Sequence, residues 1–152
     1  MLGAFRMLRV IPRTWTNAVI GLLVPKFTLG LMSVVTWRGQ VLFVHQRYRP
    51  GWSLPGGSIN RSETPSDGAR RELAEEIGLV IEPRLVTALA ENDKRVRNAM
   101  FVYTVDLPDD EVPVIDCGLE IAEARWAPID SPPGELHPSA RAVLDAYLRV
   151  GR

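Results

Sequence analysis

The sequence is poor in residues that usually mark a disulfide scaffold or a zinc site. It contains one cysteine, Cys117, and two histidines among 152 residues. A single cysteine excludes an intrachain disulfide, and together with two histidines it is too few for a structural zinc site. We expect Cys117 to be a partly buried thiol in a reducing, cytoplasmic setting.

The chain also lacks an excess of charge of either sign, because 18 basic residues balance 18 acidic ones. This balance gives no support for a nucleic-acid polymer as partner. It is compatible with a small anionic ligand, provided that a metal or local positive charge lies at the site. The length predicts one domain that can bury a hydrophobic core.

No apolar run is long enough to cross a bilayer. The run from Ala18 to Val24 follows three arginines, and this order resembles a signal peptide, but no small-residue cleavage site comes after it. We therefore predict that residues 1–25 form a helical extension to a domain over residues 26–152. The extension is expected to pack on that domain or on a second subunit, as in a homodimer. Contact with a membrane surface and an uncleaved anchor remain as alternatives.

The rest of the chain contains strand-like and helix-like segments. Apolar and β-branched residues predict strands over residues 26–37, 41–45, 85–90, 99–105 and 124–129. Trp52–Leu54 is predicted to be short and extended, with a break at Pro55–Gly57, and Ser139–Val150 is predicted to be a closing helix. Helices before and after strands predict a sheet covered by helices, in an α/β or α+β domain.

The best-defined helix is predicted to begin after Thr64, which is a favourable N-cap. Pro65 suits the first helical position, Asp67 suits a capping box, and Gly78 is a C-terminal stop. Apolar residues at every fourth position predict a buried stripe of Ala69, Leu73 and Ile77.

Three carboxylates of this helix, Glu72, Glu75 and Glu76, are spaced to share one face. Like charges at these spacings repel, and we expect no lysine or arginine of the helix to neutralise them. A divalent cation is the simplest compensation, and carboxylate oxygens favour Mg²⁺ or Mn²⁺ over zinc. Gly56 and Gly57 would let the backbone approach a metal or a phosphate closely. Taken singly, the two features also fit a solvated helix face and an ordinary turn.

Taken together, these residues match a known pattern. From Gly57, five residues lead to Glu63, seven more lead to Arg71, and the segment Arg71-Glu-Leu-Ala-Glu-Glu-Ile-Gly-Leu79 follows. The stretch from Gly57 to Leu79 resembles the Nudix box of the Nudix hydrolase family, in register from end to end. The resemblance covers the chain from about Lys26 onward. It implies an α/β/α sandwich with a mixed β-sheet.

The resemblance also implies roles for the carboxylates in metal binding and catalysis. Glu75 and Glu76 are expected to be the principal metal ligands, and Glu72 to join them directly or through water. The carbonyl of Gly56 would complete the shell. Glu120, in a later loop, is the candidate for a further ligand or general base, with Glu123 in reserve.

Other residues are expected to shape the site or contact substrate. The resemblance implies that Glu63 and Arg71 pair and brace the loop that Gly57 opens. The candidates for substrate binding are four arginines and one tyrosine, for which a solvated surface position is the alternative: Arg47, Tyr48, Arg49, Arg95 and Arg97.

The implied activity is Mg²⁺-dependent hydrolysis of a pyrophosphate bond, with Mn²⁺ as a substitute. The substrate would be a nucleoside diphosphate joined to another group, as in a nucleotide sugar, a nucleoside triphosphate or a dinucleotide. The cation would orient the pyrophosphate and acidify a water, and a glutamate would accept the proton. A catalytically silent nucleotide sensor is the alternative, and the complete glutamate set favours the enzyme.

Overall fold

The computed structural model describes residues 26–92 and 96–151, so the predicted extension over residues 1–25 lies outside the described residues. The elements are β1 Lys26–Trp37, β2 Gln40–Gln46, β3 Gly56–Ser58, α1 Pro65–Ile77, β4 Arg84–Asn92, β5 Val96–Asp106, β6 Ile121–Pro128 and α2 Pro138–Val150. Neither helix within the described ranges is long and apolar enough to cross a membrane.

The strands form one mixed sheet. Its order is β4-β5-β1-β2-β6, and the short strand β3 pairs separately with β1. The central pair, β1 and β5, is parallel from Lys26 opposite Val96 to Thr36 opposite Asp106. The other strand pairs are antiparallel. The turn that joins β1 to β2 has positive φ at Arg38 and Gly39, as expected of a tight hairpin.

The sheet is covered by one helix on each face, which confirms the predicted α/β/α sandwich. On one face, α1 buries Leu73 and Ile77 against strand residues that include Val35, Leu42 and Val44. On the other face, α2 packs Ala140, Val143 and Leu144 into a larger cluster around Phe43 and Trp52. Successive residues of β2 alternate between the two clusters, as the strand period requires.

The helix α1 begins and ends where the sequence predicts. The Thr64 side chain accepts a hydrogen bond from the Asp67 amide, and the Asp67 carboxylate accepts one from the Thr64 amide. Pro65 is the first residue of the helix. The chain leaves the helix at Gly78, which has a left-handed conformation. The predicted stripe of Ala69, Leu73 and Ile77 is fully buried. These caps fix the length of α1 and hence the position of its carboxylates.

The structure corrects three sequence-based expectations. Gly56–Ser58 is strand β3, paired with Gly30–Met32 of β1, where a break in the chain was predicted. The strands β4, β5 and β6 are each longer than predicted, since cross-strand pairing extends into polar residues. Cys117 is exposed rather than partly buried, because it lies in the loop before β6.

Candidate active site

Four glutamates surround one pocket beside the last turns of α1. The pocket has a volume of about 440 Å³ and is lined by Arg71, Glu72, Glu75, Glu76, Gly118, Leu119 and Glu120. The structure therefore brings the three box glutamates together with the loop glutamate that the sequence singled out. A pocket lined by this many carboxylates is suited to bind cations rather than apolar ligands.

Glu76 is the most deeply buried of these carboxylates, with 4% of its surface exposed. Its Oε2 accepts a 2.8 Å hydrogen bond from the Gly56 amide. Its Oε1 accepts a 3.0 Å hydrogen bond from Nε2 of Gln46. Both donors are neutral, so the hydrogen bonds orient the carboxylate without cancelling its charge.

Burial raises the pKa of Glu76 to about 7. The hydrogen bonds from Gly56 and Gln46 act in the opposite direction, and the negative charges of Glu72 and Glu120 reinforce the rise. Burial also raises the pKa of Glu72, where Arg71 opposes the effect. Among the described residues, no cationic side chain bonds Glu76, and a bound cation would be strongly favourable at such a buried carboxylate.

Arg71 contradicts the expectation that no arginine of the helix would neutralise the acidic face. Its Nη1 lies 2.8 Å from Oε1 of Glu72 and 3.1 Å from Oε2 of Glu75. Glu75 is four residues further along the helix, so this contact is the ordinary spacing for an ion pair on one face. Arg71 thus compensates two of the three carboxylates, and the buried one, Glu76, is outside its reach.

The same arginine also ties α1 to the loop before it. Its Nη2 and Nε donate to the two carboxylate oxygens of Glu63 at 2.7 and 3.0 Å. Nη2 also donates to the Ser58 carbonyl at 3.0 Å. Glu63 in turn accepts a hydrogen bond from the Asn60 amide, and these contacts lower its pKa to about 2, with Arg71 as the largest cause. The two residues predicted to pair are therefore in contact, and they connect β3, the following loop and α1.

The glycines of β3 permit close packing against these carboxylates. Gly56 has a φ of 152°, and a side chain there would collide with the backbone of Leu31. A side chain at Gly57 would collide with the Glu72 carboxylate. The glycine pair therefore allows one amide to bond Glu76 while Glu72 lies directly over the neighbouring residue.

Glu120 reaches the pocket from the loop before β6. Its Oε2 accepts a 3.1 Å hydrogen bond from the Tyr48 hydroxyl. Its backbone carbonyl accepts a 2.9 Å hydrogen bond from the Arg47 amide. Glu123, the reserve candidate, is not part of this group: it pairs with Arg125, whose guanidinium lies over Trp52 in the core cluster on the α2 face. The strand alternation of β6 places it on the opposite side of the sheet from α1.

The four predicted substrate arginines have different positions. Nε of Arg47 donates a 3.0 Å hydrogen bond to the Leu119 carbonyl, so this part of its guanidinium contacts the protein. Arg49 lines a second pocket, of about 470 Å³. Arg95 lies outside the described residues. Arg97 is described only as a backbone position of β5, in the strand rather than in the predicted turn.

Two residues that line the second pocket also contact Glu76 of the first. The second pocket is bordered by strand residues of β1, β3 and β5 and by the start of α2, and both Gln46 and Gly56 line it. These two residues are also the hydrogen-bond donors to Glu76. Glu76 is therefore linked to the walls of both pockets.

Sequence reasoning missed Gln46, and a signal for it was present. Leu42 and Val44 point toward the α1 face of the sheet and are buried. Gln46 continues that alternation and is 4% exposed, so a polar residue occupies a core-facing position of β2. Buried amides require a partner, which predicts a polar group of α1 opposite this position.

The residues around the first pocket fit a divalent cation that retains water. Within the described ranges, no group of three or more His, Cys, Asp or Glu side chains is arranged to hold a metal ion by itself. Magnesium does not need such a group, since it is usually held by one or two carboxylates together with waters and phosphates. The buried, hydrogen-bonded carboxylate of Glu76 and the adjacent Glu72 supply that donor chemistry.

The sequence matches the family that its motif resembles. The sequence model of a protein family, the NUDIX domain, matches residues 28–147 of the chain. The chain therefore belongs to the Nudix hydrolase family, whose members generally use divalent metals.

Two relatives illustrate the similarity in sequence. An RNA pyrophosphohydrolase of Psychrobacter sp. is 43% identical over 60 residues, which are 40% of this chain and 34% of that protein. A putative mutator protein MutT4 of Mycobacterium tuberculosis is 36% identical over 100 residues, which are 61% of this chain and 39% of that protein. The chain thus matches little more than a third of the length of these relatives.

Solved structures share the fold over most of the chain. The NUDIX domain of Shewanella oneidensis NrtR, complexed with ADP ribose, has a TM-score of 0.69 at 18% identity and covers 93% of this chain and 100% of its own. A MutT NUDIX hydrolase of Burkholderia pseudomallei has a TM-score of 0.68 at 20% identity, with coverage of 80% and 98%. At these identities the likeness concerns the fold.

Proposed function

We propose that this protein hydrolyses the pyrophosphate bond of a small nucleotide, a nucleoside diphosphate joined to a further group, with Mg²⁺ as cofactor and Mn²⁺ as substitute. The observation that carries the proposal is the position of Glu76. It is a buried carboxylate with a pKa near 7, it accepts a hydrogen bond from the Gly56 amide of β3, and it lies in a pocket with three other glutamates. This arrangement costs stability unless a cation compensates it.

In this proposal Glu76, Glu72 and Glu75 are the carboxylates from which the cation would take its one or two protein ligands, with water and phosphate oxygens completing its shell and the Gly56 backbone beside them. Arg71 keeps Glu72 and Glu75 oriented toward the pocket through its contacts of 2.8 and 3.1 Å. The cation, when bound, supplies positive charge that offsets the carboxylates and the phosphate oxygens. For it to bind, the carboxylates must be deprotonated, and Glu76 must lose the proton that burial favours.

Glu120 is the group that we assign to proton transfer, or to a further contact with the cation. It lies across the pocket from α1, and its carboxylate is held at one oxygen by Tyr48. The other oxygen is available to accept a proton from an attacking water. Displacement at one phosphorus would then release the other phosphate with its substituent.

The group attached to the pyrophosphate is assigned to the second pocket. Arg49 contributes positive charge there, and His137 and Ser139 contribute polar groups. Gln46 and Gly56 line this second pocket and donate hydrogen bonds to Glu76, so the proposal places the pyrophosphate at Glu76 and the attached group toward Arg49.

The experiment is a substrate panel with purified protein and Mg²⁺, analysed by chromatography. The panel contains nucleotide sugars, ADP-ribose, nucleoside triphosphates, dinucleotides and a 5′-triphosphorylated RNA oligonucleotide. We expect metal-dependent release of a monophosphate or of pyrophosphate from one class. Turnover of the RNA alone would contradict the assignment of a small nucleotide.

Two variants control this experiment. Glu76→Gln removes the buried charge proposed to hold the cation, and it is expected to lower kcat by about a hundredfold. Glu111→Gln removes an exposed carboxylate of the loop before β6 and should leave turnover unchanged. Binding of nucleotides without any turnover would reject the hydrolase and favour a nucleotide-sensing module.

A further inference from the structure

Two consecutive residues after β2, Arg47 and Tyr48, hold the loop that carries Glu120. The Arg47 amide donates to the Glu120 carbonyl at 2.9 Å, and Nε of the same residue donates to the Leu119 carbonyl at 3.0 Å. The Tyr48 hydroxyl donates to Oε2 of Glu120 at 3.1 Å. The backbone and the carboxylate of Glu120 are thus fixed from the same side.

The other end of this loop is attached to α1. The Gly118 amide donates to the Glu76 carbonyl at 2.9 Å, and the Asp116 amide donates to the Ile77 carbonyl at 3.1 Å. A side chain at Gly118 would collide with the Glu75 carbonyl, so only glycine allows this approach. The loop therefore satisfies carbonyls at the end of α1 that have no helical partner.

From these contacts we infer that Arg47 and Tyr48 are positioning residues, which hold Glu120 over the carboxylates of α1, and that Arg47 does not bind substrate. The inference rests on the proposed function, since it assigns the support for the group proposed to transfer the proton. It revises the expectation that Arg47 binds substrate, because Nε of its guanidinium donates to the Leu119 carbonyl.

The exposure of the segment around Glu120 explains why a hydrogen bond from Tyr48 is needed to hold its carboxylate. Glu120 lies in the exposed part of the loop, and Leu119 beside it is 95% exposed, so side-chain packing does not fix this part of the loop. A carboxylate in such a segment samples several rotamers unless a hydrogen bond selects one. The Tyr48 hydroxyl selects the rotamer that keeps Glu120 at the pocket.

The first test is Tyr48→Phe, which removes the hydroxyl and keeps the ring. We expect kcat to fall about tenfold with KM nearly unchanged, because one hydrogen bond to a charged group is lost without a loss of substrate contacts. Tyr147→Phe is the matched control, since it removes a hydroxyl from α2 and should leave both constants as they are. A rise in KM at constant kcat would show instead that Tyr48 contacts substrate, and would overturn the inference.

A double-mutant cycle with Glu120→Gln separates positioning from other roles. If Tyr48 acts through Glu120, Tyr48→Phe should have almost no effect on kcat once Glu120 has been replaced. The same tenfold loss in both backgrounds would overturn the inference. Absence of turnover by the unmodified protein would reject the proposed function itself, and the next measurement tests the positioning without turnover.

That measurement is amide hydrogen exchange over residues 116–121 in Arg47→Gln, without metal or substrate. Loss of the contact to the Leu119 carbonyl should raise exchange in this segment by roughly fivefold, the effect of one hydrogen bond. Arg149→Gln is the matched control, because Nε of Arg149 also donates to a backbone carbonyl, that of Asp145 in α2. Equal exchange in the two variants over residues 116–121 would overturn the inference for Arg47.

Discussion

The amide of Gly56 and the carboxylate of Glu76 are joined by a hydrogen bond of 2.8 Å, although the two residues lie 20 positions apart in the sequence. This bond connects the glycine strand β3 to the last turn of α1. It places a carboxylate with a pKa near 7 at the inner wall of the pocket. The ionisation of Glu76 is therefore coupled to the folding of the protein and, in the proposed function, to cation binding.

The first prediction concerns the pH dependence of stability without divalent cation. The folded pKa of Glu76 is raised from 4.5 to about 7, so the folded state keeps a proton that the unfolded chain loses between these values. The contribution of this group to stability is therefore complete below pH 4.5 and is lost as the pH rises through 7, by roughly 3 kcal/mol. Glu76→Gln should remove this loss. Urea denaturation at pH 5 and pH 8 measures it.

The control for this prediction is Glu111→Gln, in the exposed loop before β6, which should retain the pH dependence of the unmodified protein. If Glu76→Gln and Glu111→Gln lose the same free energy of unfolding between pH 5 and pH 8, the burial of Glu76 is not the cause.

The second prediction concerns stabilisation by the cation. At pH 8, Mg²⁺ at about 100 times its dissociation constant should add about 2.7 kcal/mol and raise Tm by roughly 5–10 °C. At pH 5 the increase should be smaller, since protons compete with the cation for Glu76. Mn²⁺ should act in the same direction. Scanning calorimetry measures the shift, and an equal shift in Glu76→Gln would show that the cation binds elsewhere.

The third prediction concerns Arg71, which contacts three carboxylates and the Ser58 carbonyl. Arg71→Ala should lower the free energy of unfolding by about 2–4 kcal/mol, because partly buried carboxylates lose their partner. Arg71→Lys should recover only part of this loss, since lysine lacks the fork that binds both oxygens of Glu63. Denaturation in urea provides the measurement.

The neighbouring variant Arg70→Ala is the control for Arg71. Arg70 pairs with Asp67 and Glu82 at the surface, where about half of its side chain is exposed. Exposed pairs contribute at most about 1 kcal/mol. Equal losses in Arg70→Ala and Arg71→Ala would contradict a special role for the buried network.

The fourth prediction concerns acid unfolding. Hydrogen bonds from Arg71 and from the Asn60 amide lower the pKa of Glu63 to about 2, so this carboxylate stabilises the fold above pH 4.5 and the effect is lost as the pH falls toward 2. Glu63→Gln should therefore be less stable than the unmodified protein at pH 6, and the difference should shrink toward pH 2. Denaturation followed by circular dichroism at several pH values measures this difference in stability. A difference that stays constant with pH would exclude the ionised pair of Glu63 and Arg71 as its source.

Local rules were sufficient for the parts of the fold that depend on nearby residues. The ends of α1 follow from Thr64, Pro65 and Gly78, whose preferences act within one turn. Its buried stripe follows from the helical period. The contact between Arg71 and Glu75 was missed, although a spacing of four residues is enough to predict it.

Features that depend on distant pairing were not predicted. The segment Gly56–Ser58 has no alternating apolar pattern, and it is a strand only because its backbone pairs with Gly30–Met32 of β1. The support of Glu120 by Tyr48 joins residues 72 positions apart, which no local pattern indicates. The side of the sheet on which Glu123 lies follows from the register of β6 with β2, and this register is set by the whole sheet.

The parallel pairing of β1 with β5 has a consequence for how the protein folds. Thr36 and Asp106 pair across a separation of 70 residues, and the glycine strand and α1 lie within the chain between them. Closing so long a loop costs entropy before its contacts form, which slows folding relative to a helical bundle of similar length. The helix α1 can form early from its own caps, but Glu76 gains its partners, Gln46 of β2 and Gly56 of β3, only when the helix packs on the sheet. In the proposed function, cation binding would therefore report on a late stage of refolding.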